Sequence, residues 1–169
     1  MASELSHVTV DTSSATHAPK GYILAYGESY RGVSCDGKAL GEVGGCPLSA
    51  CDAHDAFVND CGFSPLFPAL AAGATKSRML EDVRRAATTM TSNDVVVVYF
   101  SGRGALLGDT ACAVDAAGGL VTAHKLQAVF AEAVVERGLR GVAFLVLLDC
   151  HPTPSIGELM GVSSLLFQC

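Results

Sequence analysis

DVVVVYFSGRG, residues 94–104, is the stretch on which the fold turns. From Val95 to Phe100 every side chain is β-branched or aromatic, with no polar alternation. A strand of that kind is covered on both faces, as in a parallel sheet. SGRG (Ser101–Gly104) follows at once, so the strand is expected to end in a tip that carries polar groups. A second run, VAFLVLL (Val142–Leu148), has the same character and leads into DCHP (Asp149–Pro152). These two segments read as the central strands. In a doubly wound sheet, ligands sit beyond the carboxyl ends of the strands, which directs attention to both tips.

The elements around them fit the same plan. YILAY (Tyr22–Tyr26) is an apolar run too short for a helix and reads as a buried strand. Glu28 to Pro47 holds Gly32, Gly37, Gly41, Gly44 and Gly45 and is expected to be a long loop. Ser49 is a candidate N-cap for a helix through Asp60, stopped by Gly62. A second helix follows Thr75 or Ser77, because Met79, Leu80, Val83, Ala86, Ala87 and Met90 repeat at helical spacing. ACAVDA (Ala111–Ala116) makes a shorter strand, and Thr122 caps a helix with Leu126, Val129, Phe130, Ala133 and Val134 toward the core. The order is therefore strand, helix, helix, strand, strand, helix, strand. It implies an α/β fold with a doubly wound, mostly parallel sheet flanked by helices in three α/β/α layers. Residues 1–20 read as a flexible polar tail and 21–169 as one domain.

Composition narrows the function classes. The chain has 169 residues, half of them hydrophobic, and a mean hydropathy of +0.38. No apolar run approaches the ~18 residues that argue a membrane span, and the start has no signal-peptide character. A net charge of -6 with scattered Lys and Arg provides no footprint for nucleic acid. Seven cysteines form no CxxC pair, which argues against a zinc site and fits reduced thiols in the cytoplasm.

Four motifs then occur in order. DVVVVYFSGRG resembles the strand of the caspase superfamily, metacaspases in particular, that ends in S-G-H-G with the catalytic histidine; Arg103 stands at that position. VLLDCHP resembles the strand ending in D-x-C, whose cysteine is the nucleophile. Here Cys150 follows Asp149 directly, and His151 holds the nucleophile position. AVDAAG is similar to the P-V-D-A stretch, and LSACDAHDA (Leu48–Ala56) with Gly62–Phe63 is similar to the L-x-G-C-x-x-D-A helix and its downstream G-F. The family places aspartate three residues after this cysteine; here His54 is third and Asp55 fourth.

The resemblance implies a large-subunit domain of a caspase-like cysteine peptidase, with Cys51, Asp55, Ser101 and Asp149 at the pocket for a basic P1 side chain. It also implies that the chain ends, at Cys169, where the family continues into a small-subunit portion. A self-associating edge, or a partner that completes the sheet, is then expected. Metacaspases commonly use calcium, for which Asp109 and Asp115 are the nearest candidates, although two separated aspartates are fewer oxygens than calcium takes.

The substitutions change the chemistry. A cysteine peptidase needs a group that returns a proton to the leaving amine, and arginine, charged at every working pH, cannot do so. Arg103 beside Cys150 would favour the thiolate electrostatically without shuttling protons, or would pair internally with Asp149 and fill the pocket. The same residues also admit a plain structural role, with Cys150 a buried small side chain and His151 a loop histidine. The first expectation is a pseudoenzyme that binds an active metacaspase, a second copy of itself or a basic peptide. The alternative is an endopeptidase cleaving after Arg or Lys with Cys150 as nucleophile.

Overall fold

The computed structural model describes residues 18–35, 37–70 and 72–153, together with the backbone of Ser163–Gln168. Its elements run β1 (Gly21–Gly27), β2 (Ser34–Cys35), β3 (Lys38–Ala39), α1 (Cys46–Asn59), β4 (Ser64–Pro65) and α2 (Lys76–Thr89). They continue with β5 (Val95–Leu107), β6 (Thr110–Val114), β7 (Leu120–Thr122), α3 (Ala123–Glu136), β8 (Ala143–Pro152) and β9 (Ser163–Gln168). Residues 1–17, 36, 71, 154–162 and 169 lie outside the described residues.

β5 is the spine of the sheet. β1 lies parallel to it on one side from Gly21↔Val95 to Gly27↔Ser101, and β8 lies parallel on the other from Val95↔Ala143 to Gly104↔Pro152. β4 extends the sheet in parallel beyond β1, and β9 closes the far side antiparallel to β8. The result is a mostly parallel sheet with helices on both faces, a three-layer α/β/α arrangement as the residue order implies.

Alternation along β5 sorts the core into two layers. Val96, Val98 and Phe100 face α2 and α3, packing with Met79, Val83, Leu126 and Phe130 in the larger cluster. Val97 faces the other way with Ile23 and Ala25, against Phe57 and Val58 of α1. Helix starts agree with the sequence at Thr75 and Thr122, whose hydroxyls accept the N–H of Arg78 at 3.3 Å and of Lys125 at 3.0 Å.

Two boundaries differ from expectation. SGRG and DCHP are not turns after their strands; both are strand. Past Gly27, where β1 ends, β6 takes over its side of β5 through Gly104↔Ala113 to Leu107↔Thr110. Unbroken pairing with β8 on one side, with β1 up to Ser101 and β6 from Gly104 on the other, keeps a glycine-rich stretch extended, which local propensity does not foresee. Helix α1 starts at Cys46 rather than after Ser49, with Gly45 at φ 89 as its N-cap and Pro47 in the first turn. The expected loop from Glu28 to Pro47 also contains the small β2–β3 hairpin.

Candidate functional site at the carboxyl edge of the sheet

Register decides what the two tips present. Ser101 pairs with Asp149, Gly102 with Cys150 and Arg103 with His151. Paired residues share a face and successive residues alternate, so Ser101, Arg103, Asp149 and His151 stand on the α1 face while Cys150 stands on the α2/α3 face. The contacts agree. Asp149 Oδ2 accepts the hydroxyls of Tyr99 at 2.9 Å and Ser101 at 3.4 Å, whereas Cys150 packs against the larger core cluster. The sequence-expected residues at the two tips are thus neighbours, but the one sulfur among them is on the far side of the sheet.

The environment of Cys150 is unfavourable to a thiolate. Burial, with the Asp149 charge next in importance, pushes its pKa up to about 12. Gly104 makes room for it: a Cβ on Gly104 would lie 2.6 Å from the Cys150 Cβ. Arg103 does not offset this, contrary to the expectation that it would stabilise the thiolate, because its side chain belongs to the opposite face.

Arg103 does not pair with Asp149 either. Its Nε and Nη2 donate to the Gly41 carbonyl at 3.3 and 3.0 Å, and its Nη1 donates to the Pro152 carbonyl at 2.7 Å. The guanidinium fork therefore straps the β3–α1 loop to the end of β8, a use of its planar donor set that histidine could not match. Asp149 is left exposed, with Oδ2 held by two hydroxyls. Burial first, then the hydrogen bond to Asp149 and its charge, push the Tyr99 phenol up from its ordinary value.

The backbone at Arg103 is fixed by Tyr30, which the sequence reading missed. Tyr30 is fully buried at φ 63, and its hydroxyl accepts the Arg103 N–H at 2.9 Å and donates to the Val114 carbonyl. It fills the notch between the end of β1 and the end of β6. Gly102 permits this, since a Cβ there would lie 2.5 Å from the Tyr30 hydroxyl. A tyrosine inside a glycine-rich loop carries no sequence signal for such a bridge. Tyr99 could have been found, because it stands two residues before Ser101 on the same strand face.

On α1, the third and fourth residues after Cys51 are oriented differently. His54 is turned inward with its side chain 14% exposed, whereas Asp55 is outward at 69%. The His54 Nδ1 lies 3.1 Å from Asp55 Oδ1, and its Nε2 is buried with no hydrogen-bond partner among the described residues. Cys51 is half-buried on the same helix, and neither it nor Asp55 has a described hydrogen bond to Asp149. The structure gathers Ser101, Asp149, Arg103 and His151, and it sets Cys150 apart.

Asp115 is unsuited to calcium. It is buried, and its carboxylate already accepts the N–H groups of Lys76 at 2.6 Å, Ala117 at 2.9 Å and Gly119 at 2.6 Å. Asp109 lies in the exposed β5–β6 turn. Among the described residues, no group of three or more His, Cys, Asp or Glu could hold a metal ion, and no helix is long and apolar enough to cross a membrane.

No family model matches the chain, and no curated protein matches it. Among solved structures, the crystal structure of protein GSU0716 from Geobacter sulfurreducens is similar, with a TM-score of 0.60 at 23% identity over 78% of this chain and 50% of that one. The chain spans about half the length of that neighbour, and the likeness is one of fold.

Proposed function

We propose that this chain is a caspase-like pseudoenzyme, related to metacaspases by its ordered motifs, which binds a peptide or protein through a basic side chain. One observation carries the reading: the two positions that register places opposite each other, where the dyad would stand, hold Arg103 and His151, with the sulfur of Cys150 on the other face. Neither arginine nor histidine supplies a thiolate. The Arg103 guanidinium is spent on two carbonyls, so the carboxylate of Asp149 stays open to solvent beside Tyr99 and Ser101. Such a carboxylate pairs best with the bidentate fork of an incoming arginine. A caspase-like peptidase, or a second copy of the chain, could present that group.

The endopeptidase alternative needs a sulfur on the cleft face with an imidazole to activate it, and Cys150 meets neither condition. Fluorescence anisotropy with Arg- and Lys-containing peptides, alongside cleavage of the same peptides with and without calcium, tests both. Binding weakened by Asp149→Ala, with no cleavage above a Cys150→Ala control, is the expected result. Turnover that disappears in Cys150→Ala would establish the peptidase instead.

A further inference from the structure

A second concavity lies on the other side of the domain from Asp149, beneath α2. Ile23 pairs with Pro65 of β4 and Tyr26 bridges to Leu70, but between these contacts the chain swings away from the β1 edge. The detour borders a half-open cavity of about 220 Å³ walled by Leu24, Phe67, Pro68 and Leu70, with Arg78 and Asp82 of α2 at its border. An apolar cavity of ~150 Å³ accommodates benzene, so this one has space for a phenyl-sized body and a small head group.

The polar border defines the head group. Asp82 is almost fully buried, and its Oδ2 accepts the Tyr26 hydroxyl at 3.3 Å and Arg78 Nε at 2.8 Å. Its Oδ1 is buried with no partner among the described residues, which leaves its desolvation uncompensated. Arg78 uses only Nε in this pair, and its terminal nitrogens make no hydrogen bond among the described residues. The pair is electroneutral, so a charged ligand would bring an uncompensated charge to an apolar wall. One spare acceptor beside spare donors is complementary to a neutral group that donates and accepts side by side.

We propose that this cavity binds an apolar carboxamide, whose N–H meets Asp82 Oδ1 and whose carbonyl accepts from the Arg78 terminal nitrogens. Oδ1 is covered as it stands, so the contact requires the carboxylate to turn about its soft terminal torsion, the ligand N–H replacing the long hydrogen bond from the Tyr26 hydroxyl. A free aryl or alkyl amide and the main-chain amide of an apolar peptide share this chemistry. The site shares no residue with the cleft and does not depend on the pseudoenzyme reading.

The test is a titration of uniformly ¹⁵N-labelled protein with phenylacetamide, phenylacetate, phenethylamine and N-acetyl-leucine methylamide, following backbone amide shifts. Phenylacetamide should give saturable shifts centred on residues 67–70, 78 and 82, with the acid and the amine at least about tenfold weaker. Tighter binding of the leucine derivative assigns the site to a peptide segment, and weaker binding assigns it to a free amide. Ala69→Phe, which fills the cavity, should abolish the shifts, and Arg78→Met should weaken binding about tenfold while leaving the spectrum dispersed. No saturable shift in the wild type, equal response to all three phenyl head groups, or shifts that survive Ala69→Phe would each overturn the proposal.

Discussion

At Cys150 a strand's two-residue period outweighs sequence proximity to an aspartate. Following Asp149 directly in the strand turns the sulfur to the core side, where burial and the Asp149 charge keep it protonated. The thiol is therefore expected to resist iodoacetamide at pH 8 in a variant with Cys150 as its sole cysteine, and to gain reactivity only as pH approaches about 12. Asp149→Asn should shift that profile to lower pH, because it removes a charge opposing the thiolate. Arg103→Ala should leave it in place. The sign for stability follows from the same values. Folded pKa about 12 lies above the ordinary 9.0, so the unfolded chain loses its proton first, and Cys150 makes the fold progressively less stable from pH 9.0 upward. Wild type should thus lose more stability than Cys150→Ala between pH 8 and pH 10 in urea titrations; equal losses would contradict the assigned environment.

Elements meet here at points with no room for a side chain. A Cβ on Gly27 would lie 2.5 Å from the Cys46 carbonyl oxygen and 2.7 Å from the Pro47 Cα, where the first turn of α1 crosses the end of β1. Both obstacles are backbone and cannot rotate away. Gly27→Ala is expected to cost about 2–3 kcal/mol, read as a lower urea midpoint with an unchanged m-value. The strap across the loop is a second element-scale device. Arg103→Ala removes three hydrogen bonds to carbonyls of Gly41 and Pro152, and amide exchange in residues 38–43 should accelerate while the central strands keep their protection. Its cost to global stability should be small, about 1 kcal/mol, since the strap is solvent-exposed. Unchanged exchange in that loop would mean that the Tyr30 bridge alone holds it.

For the molecule as a whole, the sheet separates the carboxylate of Asp149 on one face from the sulfur of Cys150 on the other. Arg103→His by itself is expected to yield no peptidase activity, because it supplies an imidazole on the α1 face while the sulfur remains on the other. Adding His151→Cys puts thiol and imidazole at positions that register pairs directly, and any gain of cleavage after Arg or Lys should require both changes together. Cleavage gained from Arg103→His alone would show that Cys150 reaches the cleft after all. Asp149→Ala should abolish such gained turnover and also weaken peptide binding by the wild type.

The sequence determined the layers and the address of the site. Unbroken β-branched runs at Val95–Phe100 and Val142–Leu148 could be satisfied only by strands covered on both faces, and apolar spacing through Met79–Met90 fixed a helix face, because both are local consequences of side-chain period. What SGRG and DCHP would become was not local. Those glycines, the arginine and the histidine are extended because β5 and β8 pair with each other through to Gly104↔Pro152, with β6 joining β5 from Gly104 onward, an interaction between segments far apart in the chain. Pairing register alone set Arg103 opposite His151, turned Cys150 to the core and left Asp149 to Tyr99 and Ser101. The Tyr30 bridge and the Arg103 strap likewise exist only once β1 ends short of β6 and the loop folds back across the gap. Side-chain period can be read from a sequence; which strands lie beside one another, and in what register, is decided by the assembled core.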